Sequence, residues 1–234
     1  MTKFGMDWLG WIDFANCNDL DFRKRSCLNS RTKIGVVLVH LRTLGWLACV
    51  VYSTIPAFWL LIHPQADYWR ARARSPYRVL LPAWVGMWMV VALITAHWRG
   101  IVLYESAWAW IPAGALFAVG LGLYRKSKVG FSLQQLGGIA ELRSNHPEQQ
   151  LVTTGIRARM RHPVYLAHLC EMLAWSIGTG LVVCFGLTTL AVILGSIMIR
   201  SEDAELEQRF GDSFRAYRDA VPALFPRARK ARRL

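Results

Sequence analysis

Acidic residues are scarce in this chain. Fifteen Asp and Glu stand against 28 Lys and Arg over 234 residues, a formal net charge of +13. Such a balance points to an anionic partner, either nucleic acid or the anionic face of a membrane. Arginine–aromatic interleaving and zinc-ligand spacing are both missing, which argues against nucleic acid. Cysteine is sparse as well. Cys17, Cys27, Cys49, Cys170 and Cys184 form no CxxC pair, and their odd number implies no disulfide framework. Cys49, Cys170 and Cys184 fall in apolar runs, where a thiol behaves as a small hydrophobe. A short apolar leader with a small-residue cleavage site is also missing, because Asp7 and Asp13 interrupt residues 4–15. Insertion is therefore expected to rest on the first spanning helix. Internal repeats are absent, and the basic end Arg227 to Arg233 is the one biased tract.

What the chain has in excess is apolar residue. Hydrophobic types make up 54% of it, with eleven Trp and a mean hydropathy of +0.26. A soluble domain of this length does not need so much. Residues 34–62 are nearly all apolar, broken by His40, Arg42 and Pro56, and His63-Pro64 ends the run. Arg70, Arg72, Arg74 and Arg78 make a basic loop. Val79 to Trp98 reads as a second span and Ile101 to Tyr124 as a third. A polar connection, 125–161, carries seven Lys and Arg between Arg125 and Arg161. Val164 to Ile199 then runs without Lys or Arg, too long for one span of about 20 residues and suited to a tight hairpin of two.

The expected architecture is an all-α integral membrane protein of about five transmembrane helices. A polar or interfacial segment, 1–33, precedes three spans in 34–124. Residues 125–234 form a loop, the hairpin 164–199, and an amphipathic C-terminal helix built on Leu206, Phe210, Phe214 and Tyr217 up to Pro222. Phe4, Trp8, Trp11, Ile12 and Phe14 fit one face of a short interfacial helix, or a loose extension. The 65–78 loop, the 125–161 loop and the tail fall on one side and hold most of the basic residues, which assigns that side to the cytoplasm. The basic residues of 1–33, such as Arg23, Lys24 and Arg25, then lie on the other side and disagree with that assignment.

Two charged clusters flank the hairpin. Arg161-His162-Pro163-Val164-Tyr165 opens it. Pro163 fits the first turn of a helix, where a missing N–H costs nothing, and puts His162 at the N-cap. Arg200, Glu202, Asp203 and Glu205 close it on the same side of the membrane. Each cluster alone also reads as ordinary membrane-surface chemistry: interface anchors for the first, and for the second a solvated face with a Glu205–Arg209 pair. Inside the hairpin, His168 and Glu171 share a helix face. Charge at that depth marks a functional site by default. With no second such pair, no metal is expected, and a hydrogen-bonded pair lining a cavity or packing on a neighbour is favoured. Glu105 with Arg99, and His40 with Arg42, are expected to be packing or interface pairs.

The order of parts resembles a family. Leu151-Val152-Thr153-Thr154-Gly155, Arg161-His162-Pro163-x-Tyr165, an apolar hairpin, Glu202-Asp203, Phe210-Gly211, Tyr217 and Val221-Pro222-x-x-x-Pro226 are similar to the C-terminal half of the isoprenylcysteine carboxyl methyltransferase and phospholipid methyltransferase families. The resemblance covers about 150–226, and the first three spans carry none of it. It implies a membrane enzyme using S-adenosyl-L-methionine in a cytoplasm-facing pocket. His162, Tyr165, Leu151, Val152, Gly155 and Glu202 match positions that hold the cofactor. Arg161 and Arg200 are the guanidinium candidates for orienting an acceptor carboxylate, and Glu202 or His162 the base for an amine. Two departures bear on the acceptor: Gly155-Ile156-Arg157-Ala158 stands where many relatives read Gly-Pro-Tyr-Arg, and Asp203 replaces a second Glu.

The expected partners are membrane lipids and a lipophilic acceptor, with the carboxylate of an isoprenylcysteine-like molecule preferred. A phospholipid amine or small thiol is the alternative. An NADPH-dependent reductase of the steroid-reductase type is a second class. A scaffold or transporter is a third, disfavoured because transporters place polar groups at the midplane of repeated halves.

Overall fold

Backbone in lipid has no water to bond to, so long apolar runs close their hydrogen bonds internally as helices. A computed structural model describes residues 21–71, 76–128 and 151–226. They form α1 (Asp21–Leu60), a short α2 (Ala66–Arg70), α3 (Tyr77–Thr95), α4 (Trp110–Ser127), α5 (Pro163–Thr179), α6 (Val182–Phe210) and α7 (Asp212–Ala220). Four stretches are long and apolar enough to cross a membrane: Gly35–Gln65, Tyr77–Trp98, Ala107–Ser127 and Val182–Phe210. This is the architecture of a helical membrane protein. Its outer faces suit that solvent, with Val79, Val85, Met89 and Leu93 of α3 and Ile193 and Ile197 of α6 all exposed.

α5 is the hub. It packs on α4, α6 and α1, and α6 packs on α1. Trp46, Cys49, Val50, Met172, Leu181, Cys184 and Leu187 form the core where α1, α5 and α6 meet. Small residues let backbones approach where lipid gives helices no hydrophobic reason to associate. At Gly120 of α4, an added Cβ would lie 3.1 Å from Glu171 Cγ and 3.2 Å from the Ala167 carbonyl. A second cluster, Phe58, Ile62, Trp69 and Leu80, ties the end of α1 to α2 and α3.

The hairpin of α5 and α6 turns at Gly180, whose φ of 66° is left-handed. A Cβ there would sit 2.3 Å from the Tyr104 carbonyl oxygen, so glycine is required. Residues 101–103 lie antiparallel to this turn, with Leu103 N–H donating to Gly180 O (2.8 Å) and Val182 N–H to Ile101 O (3.0 Å).

Several expectations need correction. α5 has 17 residues, at the lower edge of a spanning length, and is not among the four qualifying stretches. The first span, expected at 34–62, is found at Gly35–Gln65, and α1 also extends N-terminally of it to Asp21. The third span begins at Ala107, with α4 itself from Trp110; Ile101 to Leu103 is extended, its backbone engaged by the hairpin turn. α6 runs past Ile199 to Phe210, so Leu206 and Phe210 belong to it. Gly211 (φ 55°) then breaks the chain, and the amphipathic helix is the short α7, burying Phe214. Glu105 pairs with Arg42 (2.7 Å), while Arg99 lies over the Trp46 ring and His40 bonds the Val36 carbonyl. The interfacial helix expected at 4–14 and the basic end 227–233 lie outside the described residues.

Candidate cofactor site at the base of the hairpin

The hairpin returns the end of α6 to the start of α5, and four charged side chains meet there. Pro163 opens α5 and His162 is its N-cap, as the sequence predicts. His162 lies between two carboxylates. Its Nδ1 is 3.2 Å from Glu202 Oε2, and its Nε2 is 3.0 Å from Asp203 Oδ1. Burial alone would depress the imidazole's pKa. The two carboxylates outweigh it and raise the pKa from 6.5 to about 9. The ring is therefore an imidazolium at neutral pH, its Nε2–H donating to Asp203 and its Nδ1 side in an ion pair with Glu202. Tyr165, one turn on, stacks against it at 5.5 Å.

Arg161 locks the tail onto this cluster. Its Nη2 donates to Asp203 Oδ2 (2.6 Å), and its Nη1 to the carbonyls of Val221 (2.5 Å) and Arg218 (3.1 Å). The backbone N–H groups of Arg161 and His162 donate to Pro222 O and Ala223 O, each at 2.9 Å. The Pro-containing tail thus lies alongside the start of α5. α7 contributes Tyr217, whose hydroxyl donates to Arg157 O (2.7 Å). Burial pushes that phenol up to about 12, which keeps it a neutral donor. Arg157 in turn reaches Ser127 O at the end of α4 (3.4 Å).

The site residues expected from sequence are mostly assembled. Arg161, His162, Tyr165 and Glu202 form one cluster. Leu151 and Val152 are half-buried, and Gly155 takes a left-handed φ of 63° with open space where a side chain would stand. Arg200 is the exception: it is exposed on α6 and makes none of the cluster's hydrogen bonds or ion pairs. His168 and Glu171 do not bond one another; Glu171 accepts from Tyr52 of α1. The expected Glu205–Arg209 pair is present at 3.8 Å.

Two contributions were missed. His63, read as a helix stop, is buried, stacks on Trp59 (5.3 Å) and places Nδ1 3.4 Å from Glu205 Oε2. It joins the motif-free first span to the cluster. The signal was its position, at the end of a span on the side where Arg161 also emerges. Asp203, read as a replacement for Glu, accepts from both Arg161 and His162.

The chain is similar to two curated proteins. It is 31% identical over 154 residues to the nickel-cobalt-cadmium resistance protein NccN of Alcaligenes xylosoxydans xylosoxydans, covering 61% of this chain and 64% of that one. It is 32% identical over 111 residues to the protein-S-isoprenylcysteine O-methyltransferase of Schizosaccharomyces pombe, covering 45% of each. The chain spans less than two thirds of the length of either relative. No family model and no solved structure matches. Among the described residues, no group of three or more His, Cys, Asp and Glu is placed to hold a metal ion.

Proposed function

We propose that this protein is a membrane methyltransferase that uses S-adenosylmethionine on a lipophilic acceptor, with its site facing the cytoplasm and five helices embedded, the short α5 included. The carrying observation is the convergence of His162, Tyr165 and Glu202 with the tail, in a chain distantly similar to an O-methyltransferase. The residues fit the cofactor's chemistry. Glu202 Oε2 is buried with an ion-pair contact but no well-directed hydrogen bond, which suits an ammonium donor such as the cofactor's amino group. The N-terminal end of α5, the positive end of its dipole, favours a carboxylate. His162, Tyr165, Leu151, Val152, Gly155 and Glu202 are the residues that would hold it. When bound, the cofactor supplies an electrophilic methyl group on a sulfonium.

The chain's own residues then position the partners and exclude water, the main sources of rate for in-line transfer to a carboxylate. Arg161 has its donors committed to Asp203 and the tail carbonyls, so in this reading it is a positioning residue. Arg200 is the guanidinium left to orient an acceptor carboxylate. An isoprenylcysteine-type carboxylate is the first acceptor, on the strength of the yeast relative's name. An amine is the second, favoured by the carboxylates at the site. Glu202 is then the base, because an imidazolium at His162 has no lone pair to offer.

The test is methyl transfer from labelled S-adenosylmethionine by purified protein in lipid, offered N-acetyl-farnesylcysteine and, separately, phosphatidylethanolamine. Base-labile label on the prenylcysteine, lost in His162→Ala, is the expected result. Label in the phospholipid moves the acceptor to an amine. No label in either, with NADPH binding in place of S-adenosylmethionine binding, overturns the reading in favour of a reductase.

A further inference from the structure

α5 carries polar side chains beyond the His162 cluster. The three-residue spacing of His162 and Tyr165 continues to His168 and Glu171, which that cluster does not use. At 1.5 Å per residue, Glu171 lies about 13 Å along the axis from the cluster, halfway down the helix. Its Oε2 accepts a hydrogen bond from the Tyr52 hydroxyl of α1. The Tyr52 ring lies 5.2 Å from the His168 ring, and Tyr124 of α4 lies 5.4 Å from it on centroids. α1 and α4 both pack on α5 and not appreciably on one another. Tyr52 and Tyr124 therefore stand over a floor of His168 and Glu171 with their hydroxyls facing one another, and all four residues remain partly exposed. Gly120 holds α4 down against this floor.

A carboxylate at membrane depth is costly without a counter-charge. Among the described residues, Arg42 pairs with Glu105, Arg161 with Asp203 and Arg209 with Glu205; none pairs with Glu171. Tyr52 occupies one of about four lone-pair positions on an ionised carboxylate. A tyrosine ring attracts a cation at its face without contributing a charge of its own.

We propose that the groove between α1 and α4 binds the nitrogen of a lipophilic ammonium, with Glu171 as counter-ion and Tyr52, Tyr124 and His168 as aromatic walls. The alkyl part of the ligand lies toward the bilayer, from which the groove is reached. A fatty carboxylate is repelled, and a fatty alcohol gains one hydrogen bond without the charge. This site is separate from the His162 cluster and stands whether or not that cluster holds S-adenosylmethionine.

The test is equilibrium binding of labelled N,N-dimethyldodecylamine and of dodecanol to the purified full chain in lipid discs, at neutral pH. Glu171→Gln keeps the size and the bond from Tyr52 and removes the charge. Wild type is expected to prefer the ammonium by about tenfold or more, and Glu171→Gln to bring the two within about twofold. Tyr52→Phe, which keeps the charge, should retain most of the preference. Equal preference in wild type and Glu171→Gln, or none in wild type, overturns the proposal. Should Glu171→Gln fail to fold, competition on wild type decides: dodecyltrimethylammonium displaces the label and dodecanoate does not, and equal displacement by both overturns it. S-adenosylmethionine binding on the same samples separates the two sites, since its absence counts against the methyltransferase reading alone.

Discussion

α3 and α5 have 19 and 17 residues, and both are mostly apolar, yet they do opposite work. α3 is apolar nearly all round and turns Val79, Leu81, Val85, Met89 and Leu93 outward, with Leu80 its one buried residue. α5 is buried at Pro163, Ala167, Cys170, Met172 and Ala174 and carries His168 and Glu171 as well. α3 is long and apolar enough to cross a membrane, and α5, with 17 residues and with His168 and Glu171 among them, falls outside that set. Apolar character records how well a helix suits lipid. A helix that suits it less, and is shielded by neighbours on three sides, is where polar chemistry is held.

The sharpest way to break this comparison is to strip the polar end of α5. Asp203→Ala leaves Arg161 and His162 without their shared acceptor. The expected loss is about 3–5 kcal/mol, read as unfolding in detergent, together with loss of cofactor binding. Stability equal to wild type would mean that the cluster does not hold the tail. Truncating the packed side of the same helix comes next. Met172 is 1% exposed, and Met172→Ala should cost about 2–5 kcal/mol.

The pH dependence follows from His162. Its pKa in the folded protein, about 9, lies above the ordinary 6.5. Its contribution, roughly 3 kcal/mol, is therefore complete below about pH 6.5 and lost as pH rises through about 9. Thermal unfolding followed from pH 6 to 10 should show that decline, and His162→Gln should flatten it. Gly180→Ala forces a Cβ against the Tyr104 carbonyl in a left-handed conformation, so a loss of at least about 1 kcal/mol is expected. The smallest effect belongs to α3. Leu93 is 75% exposed, and Leu93→Ala should stay within about 0.5 kcal/mol in the same assay. A Leu93 effect as large as that of Met172 would erase the distinction between the two helices.

The helical class, the hairpin and the meeting of Arg161, His162, Tyr165 and Glu202 were legible because short local rules govern them. Apolar runs announce spans, and Pro163 announces a helix start. What was not legible depends on distant pairing. Ile101 to Leu103 looks as apolar as any helix, and only the hairpin turn makes it extended. Glu105 has Arg99 near it in sequence and Arg42 near it in space. His63 lies nearly a hundred residues before Arg161, and nothing local says that it meets Glu205. Gly211 was visible as part of a motif, but its break in the C-terminal helix follows from a left-handed φ that sequence does not display.

The central claim is that the His162–Glu202 cluster holds S-adenosylmethionine. Calorimetric titration of that ligand into purified wild type, His162→Ala and Glu202→Gln in lipid discs tests it without any choice of acceptor. Saturable binding by wild type, weakened about tenfold or more in each variant, is the expected result. Absence of binding by wild type, or equal binding by all three, would contradict the account.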